Sequence, residues 1–413
     1  MEQNIVRKGV MDMRKLSVGM LVLAPFLFGA DVNQHPPIVI QSDQDFAGCG
    51  CVLSGSGSSA DPYIIGPWSI NNAPSAAVTI DGTILTKSFV LQNLTIAGNG
   101  KSSSTGIVLK NINGINAAVE GSQTVIQSVA IGILVSNSSY VTLDGGGANP
   151  NGPGIVNTGA GAINKNSIGA IDVETSTHIT VRGWQLSANG VDGTPDWISL
   201  DPALANWGVG GVRFFGVTAS TIDHNAANNC TSVSYSLFHS SNNTVRYNTA
   251  DYPFTMNFLV ADGSSYNVLV NNVAGTADFV GYMVADPLPG TGTLVQFGPS
   301  HDNLLTNNIS HSDGPTGTEI QSGVVPAFLG GFVVLNGTYN NTIQNNQQWS
   351  SRGAGFAWAQ AVPAPTAIGV ATYPPPLHCN VTASEGGGGT GNLNGNIWTG
   401  NQFQTIDPCL PAQ

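Results

Sequence analysis

The sequence YSLFHSSNNTVRYN, from Tyr235 to Asn248, has a pattern that returns as LVADGSSYNVLVNN, from Leu259 to Asn272. An apolar anchor in each stretch, Val245 or Leu269, follows apolar residues eight and ten positions earlier. Seven segments share this register, with anchors at Leu143, Val181, Ile222, Val245, Leu269, Leu305 and Ile343. The residues ten and eight positions before the anchors are all apolar: Ile133, Val135, Ile171, Val173, Val212, Phe214, Tyr235, Leu237, Leu259, Ala261, Val295, Phe297, Val333 and Leu335. Because only 41% of the chain is apolar, this register indicates a repeated structural unit.

The shortest spacings between anchors, 23 and 24 residues, predict one coil of a parallel β-helix. Apolar and polar residues alternate before each anchor, as they do in strands. Asn recurs two residues before or three residues after several anchors, at Asn225, Asn243, Asn248, Asn267, Asn272, Asn303, Asn308, Asn341 and Asn346. Coils stacked about 4.8 Å apart would bring these amides into hydrogen-bonded ladders. The sequence therefore predicts an all-β fold, a single-stranded parallel β-helix or β-solenoid.

Charged residues make up 9% of the chain, against about 25% in an ordinary globular protein. The formal net charge at pH 7 is -12. An acidic surface repels nucleic acid and anionic lipid, so we expect neither as a partner. We also expect the protein to be a monomer.

The amino-terminal residues have the features of an export signal. Arg14 and Lys15 precede an apolar run, Leu16 to Ala30, that is short for a membrane span and suits a secretory signal. We expect residues 1–30 to be a signal peptide, although an uncleaved membrane anchor is the alternative. Cleavage would give a secreted, periplasmic or cell-surface protein without membrane insertion. An N-terminal segment at 31–54, the β-helix at 55–346 and a Pro-rich C-terminal segment with a final coil at 347–413 would follow.

The cysteines would lie in an oxidising compartment. Cys379 and Cys409 flank the last segment, and we expect a disulfide between them to close that end. Cys49 and Cys51 form a C-x-C that would bind copper or zinc with His35, but two thiolates make an incomplete site. A disulfide or unpaired thiols are therefore favoured. The sequence predicts no cofactor, and neither calcium nor copper has a complete ligand set.

Three further motifs point to a family. They are GSGSSADPYII at residues 55–65, the repeated N-x-(T/V/L)-(V/L/I)-x-x-N, and NIWTGNQF at residues 396–403. With them the chain resembles, over about residues 50 to 405, the β-helix repeat family of the NosD and "carbohydrate-binding and sugar hydrolysis" type. The resemblance implies a right-handed parallel β-helix. It leaves function open, because that group includes polysaccharide lyases, hydrolases, epimerases, copper-site assembly factors and plain surface proteins.

The length of the segments between coils predicts a binding surface. The ten residues before each anchor keep one length, so every insertion is expected on one sector of the solenoid. The segments after Ile222 and Val245 are short, of 13 and 14 residues, whereas the others have 26 to 31. We therefore predict a low floor from Ile222 to Tyr252 between loop walls at 184–211 and 273–292. Insertions on one face of a repeat protein usually form its binding surface.

Aromatic and charged residues near this floor are the candidate site residues. The predicted substrate-binding residues are the ring-bearing ones, which suit the C-H faces of a sugar: Trp184, Trp197, Trp207, Tyr247 and Tyr252. The alternative for the tryptophans is a small core within their loop. Asp223 is flanked on neighbouring coils by Arg182 and Arg246, as suits a catalytic carboxylate or a surface ion-pair ladder. If the protein is an enzyme, Asp223 and Asp251 are the predicted acid and base, tuned by Arg246 and His224.

The sequence thus favours a secreted β-helix protein that binds or processes an extracellular polysaccharide in a groove on one face of the solenoid. As an enzyme it would be a glycoside hydrolase or lyase acting on polysaccharide. The alternatives are a non-catalytic surface, structural or adhesin-like protein, and a NosD-like periplasmic accessory protein for copper sites. Only Cys49 and Cys51 support the copper alternative locally.

Overall fold

The computed structural model describes residues 34–98, 104–147, 161–190, 210–230, 233–253, 256–277, 280–285, 297–311, 331–335, 338–349, 356–359, 391–393 and 395–403. These residues form three long, mostly parallel sheets, to which successive coils contribute one strand each. The predicted right-handed parallel β-helix is therefore confirmed. Within the described ranges, no helix is long and apolar enough to cross a membrane.

The strands divide among the sheets as follows. Sheet 1 contains Ile38–Ile40, Ala76–Asp81, Thr105–Lys110, Ile131–Ser136, Gly169–Glu174, Val212–Phe215, Val233–Phe238, Met256–Ala261, Val280–Val284, Phe332–Leu335 and Phe356–Ala359. Sheet 2 contains Val52–Ser54, Tyr63–Ile65, Phe89–Gln92, Ala117–Glu120, Val141–Asp144, Thr180–Arg182, Thr221–Asp223, Thr244–Arg246, Val268–Val270, Leu304–Thr306, Thr342–Gln344, Gly391–Leu393 and Asn396–Thr399. Sheet 3 contains Trp68–Asn71, Leu94–Ala97, Val125–Gln127, Ala162–Asn164, Gln185–Ser187, Ala226–Asn228, Thr249–Asp251, Val273–Gly275, Ile309–His311, Gln347–Trp349 and Gln402–Phe403.

The amino-terminal end of the solenoid is built from short elements. Strand Ile38–Ile40 pairs in parallel with Val78–Ile80, so sheet 1 includes residues that precede position 55. A helix, Asp43–Gly48, follows it, and the 3-10 turn Gly82–Ile84 lies one coil later. A disulfide joins Cys49 to Cys51, so neither sulfur is available as a thiolate for copper or zinc. Residues 1–33 and the predicted pair Cys379 and Cys409 lie outside the described residues.

The solenoid interior is apolar, and all seven predicted anchors are buried in it. Its aromatic part is a stack of parallel rings from consecutive coils, contributed by Tyr235, Phe258, Tyr282 and Phe332. Their ring centroids are separated by 5.0, 4.7 and 4.7 Å. This separation matches the strand spacing of a sheet, because each coil places its ring directly above the previous one.

The apolar residues eight and ten positions before the anchor face the solenoid interior in the coils anchored at Leu143, Val181, Ile222 and Val245, but not further along. In the next coil Phe258 and Val260 point inward, whereas the predicted Leu259 and Ala261 belong to a second apolar cluster. The reason is one extra turn residue: His239 alone follows Phe238, but Asp262 and Gly263 follow Ala261 before the chain resumes its register. The inserted residue lengthens the distance from the strand to the anchor by one position. Positions counted back from the anchor therefore fall on the side chains that face outward.

The same shift occurs in the last predicted coil. Phe332 and Val334 point inward there, and Val333 belongs to the second cluster. For the coil anchored at Leu305, the sheet 1 strand is Val280–Val284. Phe297 lies outside this strand and is 40% exposed, while Val295 lies outside the described residues.

The prediction that all insertions lie on one sector is also wrong. Residues 188–211 connect sheet 3 to sheet 1, and residues 145–161 connect sheet 2 to sheet 3. Residues 285–303 connect sheet 1 to sheet 2, which was the segment expected to keep a constant length. Insertions therefore leave the solenoid at all three of its corners.

Two asparagine ladders run along the turns on either side of sheet 2, as predicted. In one ladder each side-chain amide donates to the Oδ1 of the next coil, in the order Asn225, Asn248, Asn272, Asn308, Asn346 and Asn401. The other ladder has the order Asn243, Asn267, Asn303, Asn341 and Asn396. Each accepting Oδ1 also receives a backbone N–H from the previous coil, for example from Asn248 to Asn272 at 3.0 Å. These contacts satisfy the buried side-chain amides of the ladder asparagines.

Candidate functional site

An open groove of about 520 Å³ lies on the outer side of sheet 2, at its edge toward sheet 3. It is lined by Asp144, Gly146, Arg182, Asp223, His224, Arg246 and Tyr247. The four charged residues Asp144, Arg182, Asp223 and Arg246 end consecutive strands of sheet 2 and are paired in register. The residues directly before them point inward: Leu143, Val181, Ile222 and Val245. Because side chains alternate along a strand, the side chains of the four charged residues point outward.

The charged residues form two ion pairs. The Arg182 guanidinium donates to Asp144 Oδ2, with the Nε bond at 2.9 Å. Arg246 donates through Nε and Nη2 to the two oxygens of Asp223, each at 3.2 Å. Asp223 does stand between two arginines in register, as predicted, but of these two only Arg246 donates a hydrogen bond to it. With two arginines and two aspartates, these groups balance each other's charge.

Asp223 also orients a histidine. Its Oδ1 is 2.6 Å from Nδ1 of His224, and both residues are only 8% exposed. Because a carboxylate accepts hydrogen bonds, Nδ1 carries the hydrogen and Nε2 is the acceptor in the neutral ring. The His224 ring stacks on Tyr247 of the next coil, with centroids 4.8 Å apart. The groove therefore combines a flat pair of rings with polar groups in fixed orientations.

The backbone at these two rings is unusual for their residue types. His224 and Tyr247 have φ values of 52° and 54°, in the left-handed region. The equivalent residues of other coils are glycine or asparagine: Gly183, Asn271, Asn307, Asn345 and Gly400. Those two types tolerate this conformation best. In this turn the chain departs from those two types at the groove, where His224 and Tyr247 stand instead.

Asp251 is not part of this groove. It ends the sheet 3 strand Thr249–Asp251 and stands next to Gly275 in register. A Cβ at Gly275 would be 3.1 Å from Asp251 Oδ1 and 2.6 Å from His311 Cε1, so both side chains converge over the glycine. Burial raises the pKa of the Asp251 carboxyl, against a hydrogen bond from Thr276 and the charge of His311. Asp223 and Asp251, the predicted acid and base, therefore do not line a common groove.

The aromatic residues predicted to bind substrate occupy different places. Tyr247 lines the groove, and Tyr252 is 54% exposed beyond the end of a sheet 3 strand. Trp184 is a wrong prediction, because it is fully buried and its Nε1 donates to the backbone oxygen of Leu143 at 3.0 Å. Its position in the turn is the one that Asn225 fills in the next coil, so its side chain points into the solenoid. Trp197 and Trp207 lie outside the described residues.

Sequence reasoning placed Arg182 beside Asp223 but did not include Arg182, Asp144 or Gly146 among the predicted site residues. The signal that identifies Asp144 and Arg182 is their place directly after the anchors Leu143 and Val181, in the column that contains Asp223. Gly146 has no such signal, because it lies beyond the strand in a turn where the coils differ in length. Within the described residues, no group of three or more His, Cys, Asp or Glu residues is arranged to hold a metal ion.

No protein-family model matches the chain, and no curated protein matches its sequence. Among solved structures, the chain is similar to the Dettilon tailspike protein, with 13% identity and a TM-score of 0.46. The match covers 81% of this chain and 61% of that chain, so this chain spans less than two thirds of the tailspike. An alginate lyase from Paenibacillus sp. has 10% identity and a TM-score of 0.45, over 80% of this chain and 99% of that chain.

A PL6 family polysaccharide lyase from Pseudopedobacter saltans is also similar, with 14% identity and a TM-score of 0.40. The match covers 88% of this chain and 92% of that chain. Similarity at this level does not identify a reaction or a ligand. The residues of the groove are therefore the basis for a functional conclusion.

Proposed function

We propose that this is an exported protein that binds a polysaccharide of little or no charge in the groove on sheet 2. The observation that carries the proposal is the stacked pair His224 and Tyr247 beside two acid–arginine pairs. Aromatic rings pack against the C-H faces of sugars, and carboxylates and guanidinium groups hydrogen-bond to sugar hydroxyls. The apolar run before residue 30 supports export.

The balance of charge supports a ligand of low charge over a polyuronate. Each guanidinium of the groove already donates to an aspartate, Arg182 to Asp144 and Arg246 to Asp223. An anionic chain would have to compete with these carboxylates, and the net charge of -12 would repel it. A neutral polysaccharide does not compete as an anion with these carboxylates and is not repelled by the net charge.

Replacing Tyr247 with alanine is expected to weaken polysaccharide binding about fivefold, because the loss of one ring contact costs about 1 kcal/mol. Affinity electrophoresis through gels that contain mannan, xylan or β-glucan, with alginate and polygalacturonate as acidic comparators, measures the effect. Tyr252→Ala is the matched control, because Tyr252 is an exposed tyrosine that does not line the groove. Equal binding by Tyr247→Ala and the parent protein, or retardation by the acidic gels alone, would contradict the proposal.

The contact between His224 and Asp223 favours a second candidate function, which is processing of the bound chain. An imidazole held through Nδ1 by a carboxylate is arranged to take or give a proton at Nε2. Asp144 and Arg182 would position the sugar beside it.

If the protein turns over a polysaccharide, His224→Gln and Asp223→Asn are each expected to reduce the rate at least a hundredfold, since general acid–base catalysis contributes about that much. Release of reducing ends and of unsaturated products from the same panel of polysaccharides would be followed. Asp251→Asn should keep most of the activity because Asp251 is outside the groove. Loss of activity in Asp251→Asn with full activity in His224→Gln would place the chemistry elsewhere.

A further inference from the structure

A column of threonines runs beside the groove on the outer side of sheet 2. Thr142, Thr180, Thr221 and Thr244 are paired in register on four consecutive coils, and all four are partly exposed. Each stands two residues before a member of the charged column, so these coils read Thr-x-Asp, Thr-x-Arg, Thr-x-Asp and Thr-x-Arg. The column covers the same four coils as the two ion pairs.

The column has clear ends. The residue paired with Thr142 on the preceding coil is Ala118, and the one paired with Thr244 on the following coil is Val268. Leu304 and then Thr342 continue the column beyond Val268. The hydroxyl groups are therefore continuous only where the groove is, which separates them from the general preference of strands for threonine.

A second series of hydroxyl groups lies at the adjoining turn. Its members pair from coil to coil as isolated bridges and carry no charge: Ser139, Thr177, Thr218, Ser241 and Ser265. The hydroxyl of Thr218 donates to that of Thr177 at 3.1 Å. The outer side of these coils thus presents rows of hydroxyl groups that repeat about every 4.8 Å along the solenoid axis.

We infer that the threonine column extends the groove and that the ligand is a linear, uncharged polysaccharide lying parallel to the solenoid axis across these four coils. This inference rests on the proposed function. A ligand with hydroxyl groups along its whole length meets a donor or acceptor on every coil, whereas a polyanion would find no cation in the threonine column. His224 supports a ligand at the same place, because it is 8% exposed, lines the groove, and has no hydrogen-bond partner for Nε2 within the described residues.

The test compares chain lengths. The affinity of the full chain for β-1,4-linked mannose, xylose and glucose oligosaccharides, from dimers to octamers, is measured by titration calorimetry. Affinity is expected to rise with length until the oligosaccharide spans four coils, about 14 Å. The double variant Thr180→Val/Thr221→Val should lose this gain, about fivefold for each hydroxyl.

Valine is β-branched and similar in size, so the double variant keeps the strand and removes only the hydroxyl groups. Thr342→Val is the matched control, because it lies in the same column beyond Val268 and Leu304. Unchanged affinity of the double variant for long chains would overturn the inference and leave the groove intact. Absence of binding at every length by the parent protein would overturn the proposed function itself, and the inference with it. Alginate oligosaccharides of the same lengths are titrated as the charged comparison, and binding of these alone would contradict an uncharged ligand.

Discussion

Replacing Arg213 with methionine is expected to lower the free energy of unfolding by about 3–5 kcal/mol, the range for removing one partner of a buried ion pair. Arg213 is 2% exposed, and its Nε and Nη2 donate to the two oxygens of Asp172 at 2.8 and 2.7 Å. Its Nη2 also donates to Glu174 at 2.6 Å. Without the arginine, Asp172 would be a charge buried on the outer side of sheet 1, with no other cation beside it among the residues that the structure describes.

Denaturant unfolding followed by circular dichroism measures this change at pH 7 and again near pH 4. Burial and the neighbouring Asp172 raise the pKa of Glu174 even in the parent protein. In the variant the pKa of Glu174 would rise further, because the arginine that lowers it is gone. The stability that comes from a raised carboxyl pKa is present below the unfolded pKa of the group and is lost as the pH rises, so the deficit should be smaller at pH 4.

Lys110→Met is the matched control. Lys110 also belongs to sheet 1 and binds Asp81 at 3.0 Å, but its side chain is 39% exposed. An exposed pair of this kind contributes about 0–1 kcal/mol. The free energy of unfolding of the control should therefore be close to that of the parent protein. Adding Asp172→Leu to Arg213→Met should recover part of the loss. A similar small effect for Lys110→Met and Arg213→Met would show that the buried triad does not stabilise the fold.

Replacing Trp184 with alanine is expected to cost about 3–5 kcal/mol, as large-to-small changes at fully buried aromatic residues do. The ring occupies space that two glycines leave open. A Cβ at Gly121 would lie 2.4 Å from Trp184 Cη2, and one at Gly161 would lie 2.6 Å from Cζ3. Removing the ring leaves a cavity, and the backbone of these glycines cannot close it without breaking the sheet register.

Thermal and denaturant unfolding measure the loss, and the binding assay used for Tyr247 separates stability from recognition. The stability of Trp184→Phe should lie between those of Trp184→Ala and the parent protein, because phenylalanine keeps a ring but removes the hydrogen bond from Nε1 to Leu143. Polysaccharide affinity per folded molecule should be unchanged in both variants. A Trp184→Ala protein that is as stable as the parent but binds polysaccharide more weakly would indicate that Trp184 contacts the ligand.

Much of the fold is predictable because a coil repeats the same physical requirements. The anchors and both asparagine ladders follow from inward position and buried amides, and they appear in the sequence at fixed offsets. A fixed offset fails where a turn gains a residue, as Asp262 and Gly263 replace the single His239. The strand Met256–Ala261 gives only a weak signal of which face is inward, because residues 257 to 261 are all buried and Asn257 is its one polar residue.

The site was less predictable for a related reason. Asp223, Arg246 and Tyr247 follow from their positions relative to anchors, so sequence brings them together correctly. Trp184 has the same kind of position as an inward asparagine, but its residue type suggested a surface ring. Asp251 is close to Asp223 along the chain, yet it follows the next turn and points from another sheet.

The asparagine ladders also make coils exchangeable. Every rung offers the same acceptor to the coil before it and the same donor to the coil after it, as Asn272 does between Asn248 and Asn308. A whole coil gained or lost by duplication or deletion would therefore meet matching partners on both sides, while a partial coil would not. Such a protein changes length in steps of one complete turn of the chain. Proteins that share this architecture are expected to differ in the number of coils, and so in the length of their outer surface, before they differ in the chemistry of any one coil.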